Sequence, residues 1–125
     1  MLIPTPSRIL VATTPVDFRK SIDGLVALVE LQLQERPLSG QMFVFTNRRR
    51  TGLRLLVWSH GGFILVYKKL ERGTFRLPKA DGDRIIVSIA ELSAILEGID
   101  LSRAARLPRW NPTEDTVAYN THRVT

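Results

Sequence analysis

The first patterned stretch is RILVAT, residues 8 to 13, an apolar run that predicts a first strand ended by Thr14 and Pro15. Thr14 is placed to cap a helix, with Pro15 at its first position and Asp17 three residues on. Gly24 weakens that helix by up to about 1 kcal/mol relative to alanine, which leaves Ser21 as an alternative start. From either start, Phe18, Ile22, Leu25, Val29 and Leu33 fall on one helical stripe, and RPLSG closes the segment with the loop signals Pro37 and Gly40.

Three strand-like runs follow: MFVFTN, LRLLVWS and FILVYKKL. The first two are joined by an arginine-rich turn, the last two by His60-Gly61-Gly62. The glycine pair is expected to supply the positive φ angles of a tight antiparallel hairpin. In LRLLVWS, Leu53, Leu55 and Val57 face one side, and Arg54, Leu56 and Trp58 the other. ERGTFRLPKADGDRIIVSI then offers two short extended pieces around a Pro-Lys-Ala-Asp-Gly turn. Ser88 followed by Glu91 is a capping-box pattern that opens a second helix, with Ile89, Leu92, Leu96 and Ile99 as its apolar stripe and Gly98 near its end. From about Leu101 the periodicity stops, so residues 1–100 read as one domain and 101–125 as a tail or loosely docked extension. There is no internal repeat and no low-complexity tract.

The pattern predicts an α+β fold: a mainly antiparallel sheet of about five strands, with one long and one short helix packed against a face. At 125 residues the chain is long enough to bury about two-thirds of its unfolded surface in one core without a metal or disulfide staple. The absence of cysteine excludes disulfides and thiolate metal sites and fits a reducing compartment. MLIPTPSRIL lacks a basic stretch followed by a long apolar core, and no apolar run approaches the roughly 18 residues of a membrane span. The expectation is a soluble cytoplasmic protein.

Charge changes the picture more than composition does. The net charge is +6, but the stretch from Arg36 to Lys79 holds ten Lys and Arg against one acid, Glu71, a local +9 that leaves −3 to the rest. A positive field this concentrated points to a polyanion, because it steers association and releases counterions where phosphates are neutralised. The plainer explanation is basic side chains solvating the outer face of a sheet.

Candidate catalytic chemistry is sparse. His60 falls in a hairpin turn and His122 near the C-terminus, and neither belongs to a metal-spaced or triad-like pattern. Asp81 and Asp83 flank Gly82 in a turn, where carboxylates usually satisfy local amides. A metal-dependent nuclease would have to use these two with Glu91. Asp17 and Asp23 fall on different faces of a regular helix, and the glycines form no phosphate-cradling motif.

Five blocks in one collinear order carry a resemblance: DFRKSIDGL, PLSGQMFVFTNRRR, LRLLVW, GFILVYKKLERGTFRLP and LSAILEGID. Together they resemble the second-orf, TnpB-type accessory protein of the insertion sequence 66 family, which is distinct from the RNA-guided nuclease that shares the TnpB name. The matching residues include Arg19, Lys20, Asp23 and Gly24, then Arg48, Arg49, Arg50 and Trp58. Lys68, Lys69, Leu70, Glu71, Gly73 and Phe75 follow, and Glu97, Gly98 and Asp100 close the match. Thr51 and Gly52 depart from the family pattern of an acid and a further base, Ser59 and His60 from Asp-Gly, and Leu77 from tryptophan. The resemblance implies a small bacterial protein required beside a separate, larger transposase that carries the strand-transfer acids. It supplies no catalytic residues.

The expected function is therefore a non-catalytic accessory role in transposition, needing no cofactor and no metal, with DNA and the element's transposase as partners. The candidate DNA-binding residues are Arg48, Arg49, Arg50, Arg54, Lys68, Lys69, Arg72 and Arg76, expected to share one basic surface. Trp58 and Tyr67 are candidates for stacking on bases or packing a partner, and Phe75 for either that or the core. The alternative is a protein-interaction module that docks the transposase without touching DNA.

Overall fold

A computed structural model describes residues 5–99; the predicted tail, His122 and Asp100 lie outside the described residues. Among the described residues seven elements follow one another: β1 (Ile9–Ala12), α1 (Ile22–Leu31), β2 (Met42–Thr46), β3 (Gly52–Ser59), β4 (Gly62–Lys69), β5 (Arg84–Val87) and α2 (Ile89–Leu96). The strands form one sheet in the order β4-β3-β2-β1-β5. β1 and β2 run parallel, as a strand–helix–strand unit requires, and every other pairing is antiparallel.

Both faces of the sheet are covered, which explains why β1 and β2 read as continuous apolar runs rather than as alternations. On one face Leu10, Phe43, Phe45 and Leu56 pack against Leu25, Leu28 and Val29 of α1. On the other, Val11, Val44, Leu53 and Leu55 pack against Leu92 and Ile95 of α2 and against Phe75 and Leu77 of the β4–β5 connection. The helices thus lie on opposite faces rather than sharing one.

The first helix starts at the later of its two possible caps. Ser21 Oγ accepts the Gly24 amide, whereas Thr14 and Pro15 belong to a loop in which the Val16 amide donates to Thr46 O at 2.8 Å. Phe18 and Leu33 consequently sit outside the helix, although both still pack on its side of the sheet. The β3–β4 turn is also shifted by one residue from the expectation. His60 at φ 48° and Gly61 at φ 83° are its two central residues, and Gly62 pairs with Ser59 as the first residue of β4. Two successive positive φ values define a type I′ turn, whose twist matches that of the strands it joins.

Of the two extended pieces expected around the Pro-Lys-Ala-Asp-Gly turn, only Arg84–Val87 is a strand. The earlier piece crosses the α2 face instead, burying Phe75 and Leu77 and bonding the Phe75 amide to Arg50 O at 2.7 Å. The capping box of α2 forms as read, with Glu91 accepting the Ser88 amide and Ser88 Oγ the Glu91 amide. Its buried stripe is Leu92 and Ile95, with Leu96 beside them; Ile89 and Ile99 are exposed. Gly98, at φ 85°, ends it in a Schellman motif closed by amide bonds from Gly98 to Ile95 O and from Ile99 to Ala94 O.

Candidate nucleic-acid interface

Two loops meet where the parallel strands β1 and β2 end, and both are built by side chains that satisfy backbone amides. In the β2–β3 turn, Asn47 Oδ1 accepts the amides of Thr51 and Gly52 at 2.9 and 3.1 Å, and its Nδ2 donates to Thr51 Oγ1 at 2.9 Å. The Arg50 amide returns to Asn47 O, and Arg50 takes φ 58°. These bonds fix the backbone that carries Arg48 and Arg49, both exposed, and Arg50, half-buried. In the β1–α1 loop, Asp17 holds Arg19 in a fork, with Oδ2 accepting from Nη2 at 2.6 Å and Oδ1 from Nε at 3.1 Å. The Arg19 side chain and then its backbone amide hold the Asp17 carboxyl down to a pKa of about 2, and the same pairing raises that of Arg19.

Between the loops runs an open groove of about 600 Å³, lined by residues 15–19, Asn47, Arg48, Arg49, Arg54 and Tyr67. Its floor is organised by Arg54. That guanidinium lies 4.6 Å from the Phe18 ring centre and 5.0 Å from that of Tyr67, and Nη1 donates to Lys20 O at 2.9 Å. Its buried Nε makes no conventional hydrogen bond. The Phe18 and Tyr67 rings meet edge to face, with centres 5.6 Å apart and planes at 84°. Their closeness depends on Gly52: a Cβ there would lie 2.8 Å from Phe18 Cε2 and 2.9 Å from Tyr67 Cε1.

The eight basic candidates are not all on one face of the sheet. Arg48 and Arg49 stand at the groove, while Arg54 is committed to its floor. Strand alternation sends Lys68 and Lys69 to opposite faces of the sheet, and Lys68 Nζ donates to Leu96 O at the end of α2, where a cation complements the helix dipole. Arg72 is exposed in the bend between Leu70 and Phe75, whose amides bond Thr51 O and Arg50 O, so it lies beside the arginine turn, whereas Arg76 is exposed on the connection beyond, alternating with buried Phe75 and Leu77. Tyr67 belongs to the groove and is 50% exposed. Trp58 lies at the opposite end of β3, half-buried, its ring 5.0 Å from that of Phe63. Phe75 is wholly in the core.

The acids considered for metal chemistry do not converge. Asp83 pairs with Arg84 at 2.9 Å, which lowers its pKa, and Glu91 is occupied by the α2 cap. Among the described residues no group of three or more His, Cys, Asp or Glu is arranged to hold a metal ion. His60 is exposed in its turn. Among the described residues no helix is long and apolar enough to cross a membrane.

The five-stranded sheet, its two helices and the arginine turn belong to a chain whose residues 7–106 match the family described as IS66 Orf2 like protein. The chain belongs to that family, and with it to insertion-sequence transposition in an accessory role. Two similar proteins come from Sinorhizobium fredii (strain NBRC 101917 / NGR234). One, described as uncharacterized protein y4jC, is 42% identical over 107 residues, covering 86% of this chain and 92% of its own length. The other, uncharacterized protein y4hO, is 38% identical over 108 residues, covering 86% and 91%. No solved structure matches the chain significantly.

Proposed function

We propose that this protein serves transposition without catalysis of its own, binding DNA backbones through the β2–β3 turn and helping to assemble the complex with the transposase. One observation carries the reading. Arg48 and Arg49 stand exposed and adjacent on a turn pinned by Asn47, at a groove edge, and no carboxylate among the described residues pairs with either. Two neighbouring like charges repel unless an anion lies between them, and arginine forks match phosphate oxygens. Arg50 and Lys69 flank this end of the sheet, so they extend the contact. Arg72, in the bend bonded to Arg50 and Thr51, extends it as well, whereas Lys68 and Arg76 belong to the α2 side and serve a protein contact. Arg54 contributes by shaping the groove rather than by touching phosphate.

The second reading, docking of the transposase, draws on Tyr67. A half-exposed tyrosine among arginines has the composition of a protein-interface hot spot as well as of a base-stacking platform. Titration against element-end and unrelated DNA at two salt concentrations separates the two. Replacing Arg48 and Arg49 by alanine should weaken both DNAs about equally and flatten the slope of log affinity against log salt by roughly 0.9 for each lost contact. DNA binding unchanged with transposase binding lost would establish the docking reading instead.

A further inference from the structure

The two edges of the sheet are built differently. β5, at one edge, has four residues and begins with Arg84 paired to Asp83, so it is short and charged. β4, at the other, has eight residues, and its GFILV half contains no charge, proline or bulge. Phe63, Ile64, Leu65 and Val66 are all only half-buried, and among the described residues nothing pairs with the outer side of this strand. A long apolar edge is a template for another strand, and proteins ordinarily block such edges.

The hairpin fixes which backbone groups face outward. Ser59 and Gly62 flank the two-residue turn and exchange both hydrogen bonds, so residues 62, 64, 66 and 68 bond inward to β3. Phe63, Leu65, Tyr67 and Lys69 therefore present their N–H and C=O groups outward. We infer that β4 pairs antiparallel with β4 of a second copy of this chain, about a two-fold axis at Leu65, joining two sheets into one of ten strands.

That register sets Leu65 opposite Leu65 and Phe63 opposite Tyr67 of the second copy, the outward-facing residues in every case. Phe63 and Tyr67 share the α1 face by alternation, so the joint gains two aromatic cross-strand pairs, related by the two-fold axis. Lys68 falls opposite Gly62, and Lys69 opposite Gly61, so no like charges are opposed. Registers slid toward the C-terminal end of β4 bring lysine against lysine and lose overlap. The antiparallel arrangement is self-complementary, as a closed dimer requires. This inference is independent of DNA binding.

The chain has no cysteine, which makes the register directly readable. Opposed residues in a hydrogen-bonded pair have Cα atoms about 5.5 Å apart, within the roughly 4.4–6.8 Å that a disulfide spans. The full-length protein should sediment as a dimer, and Leu65→Cys should form an intermolecular disulfide on mild oxidation while Ile64→Cys does not. Ile64 belongs to neither core cluster, so Ile64→Lys should keep the far-ultraviolet circular dichroism of the parent and sediment as a monomer. A monomeric parent protein, a dimer indifferent to Ile64→Lys, or cross-linking at position 64 in place of 65 would each overturn the inference.

Discussion

Arg54 on β3 and Phe18 in the β1–α1 loop meet as a cation over a ring face, 4.6 Å from guanidinium carbon to ring centre. The contact ties a loop to a strand remote in sequence, and Tyr67 of β4 closes on the same cation from 5.0 Å. Replacing Arg54 by leucine removes both ring contacts and the donor to Lys20 O. The expected loss is about 2 kcal/mol in urea unfolding. Lysine in its place recovers only part of this, because an ammonium has no planar fork to lie against two rings while bonding a carbonyl.

Gly52→Ala tests the same cluster by crowding rather than deletion. Its Cβ would arrive within 3 Å of both rings, so one must move, at a cost of about 1–3 kcal/mol. Combining it with Phe18→Leu should cost less than the two single changes added together, which a double-mutant cycle measures directly.

Asn47→Ala deletes three hydrogen bonds of the arginine turn at once. Thermal or urea unfolding should register about 1–3 kcal/mol, and hydrogen exchange at the Thr51 and Gly52 amides should accelerate. Arg48→Ala with Arg49→Ala should shift stability by less than about 0.5 kcal/mol, since both side chains are exposed. Equal destabilisation by the two sets of changes would mean that the arginines hold the turn themselves.

Asp17 gives the β1–α1 loop an acid limit. Its carboxyl sits at about 2 when folded against an ordinary 3.8, so its contribution to stability is fully present above that ordinary value and is lost as pH falls through the lower one. The fork with Arg19 should therefore persist well below pH 3.8 and open with a midpoint near 2, while its stabilising contribution falls away between those two values. Carboxyl-carbon NMR shifts of Asp17 report the midpoint, and a midpoint near 3.8 would mean that the fork does not form in solution.

Periodicity located the helices and the outer strands because each is amphipathic at its own period, and unbroken apolar runs marked β1 and β2, which are buried on both faces. It failed where tertiary contact overrides local pattern. FRLP reads as a strand but is not one, because Phe75 and Leu77 gain more by filling the α2-side core than by pairing in the sheet. The candidate site was legible only in part. Asn47 opening Asn-Arg-Arg-Arg-Thr-Gly is a readable turn signal, whereas counting charges pooled Arg54 and Lys68 with the turn arginines. Strand alternation separates Lys68 from Lys69. That Arg54 would lie under Phe18 depended on a loop whose path follows from the Val16 amide meeting Thr46 O.

The sheet order has a consequence for how the chain is made. β1 lies between β2 and β5, so the earliest of the described strands to be synthesised takes its second neighbour from residues 84–87, the latest of them. Until then the β1 edge that will receive β5 has no partner strand, and the core under Phe75 and α2 is incomplete. Nascent chains stopped before Arg84 should stay protease-sensitive at β1, and those extended past Ile95 should become resistant in one step.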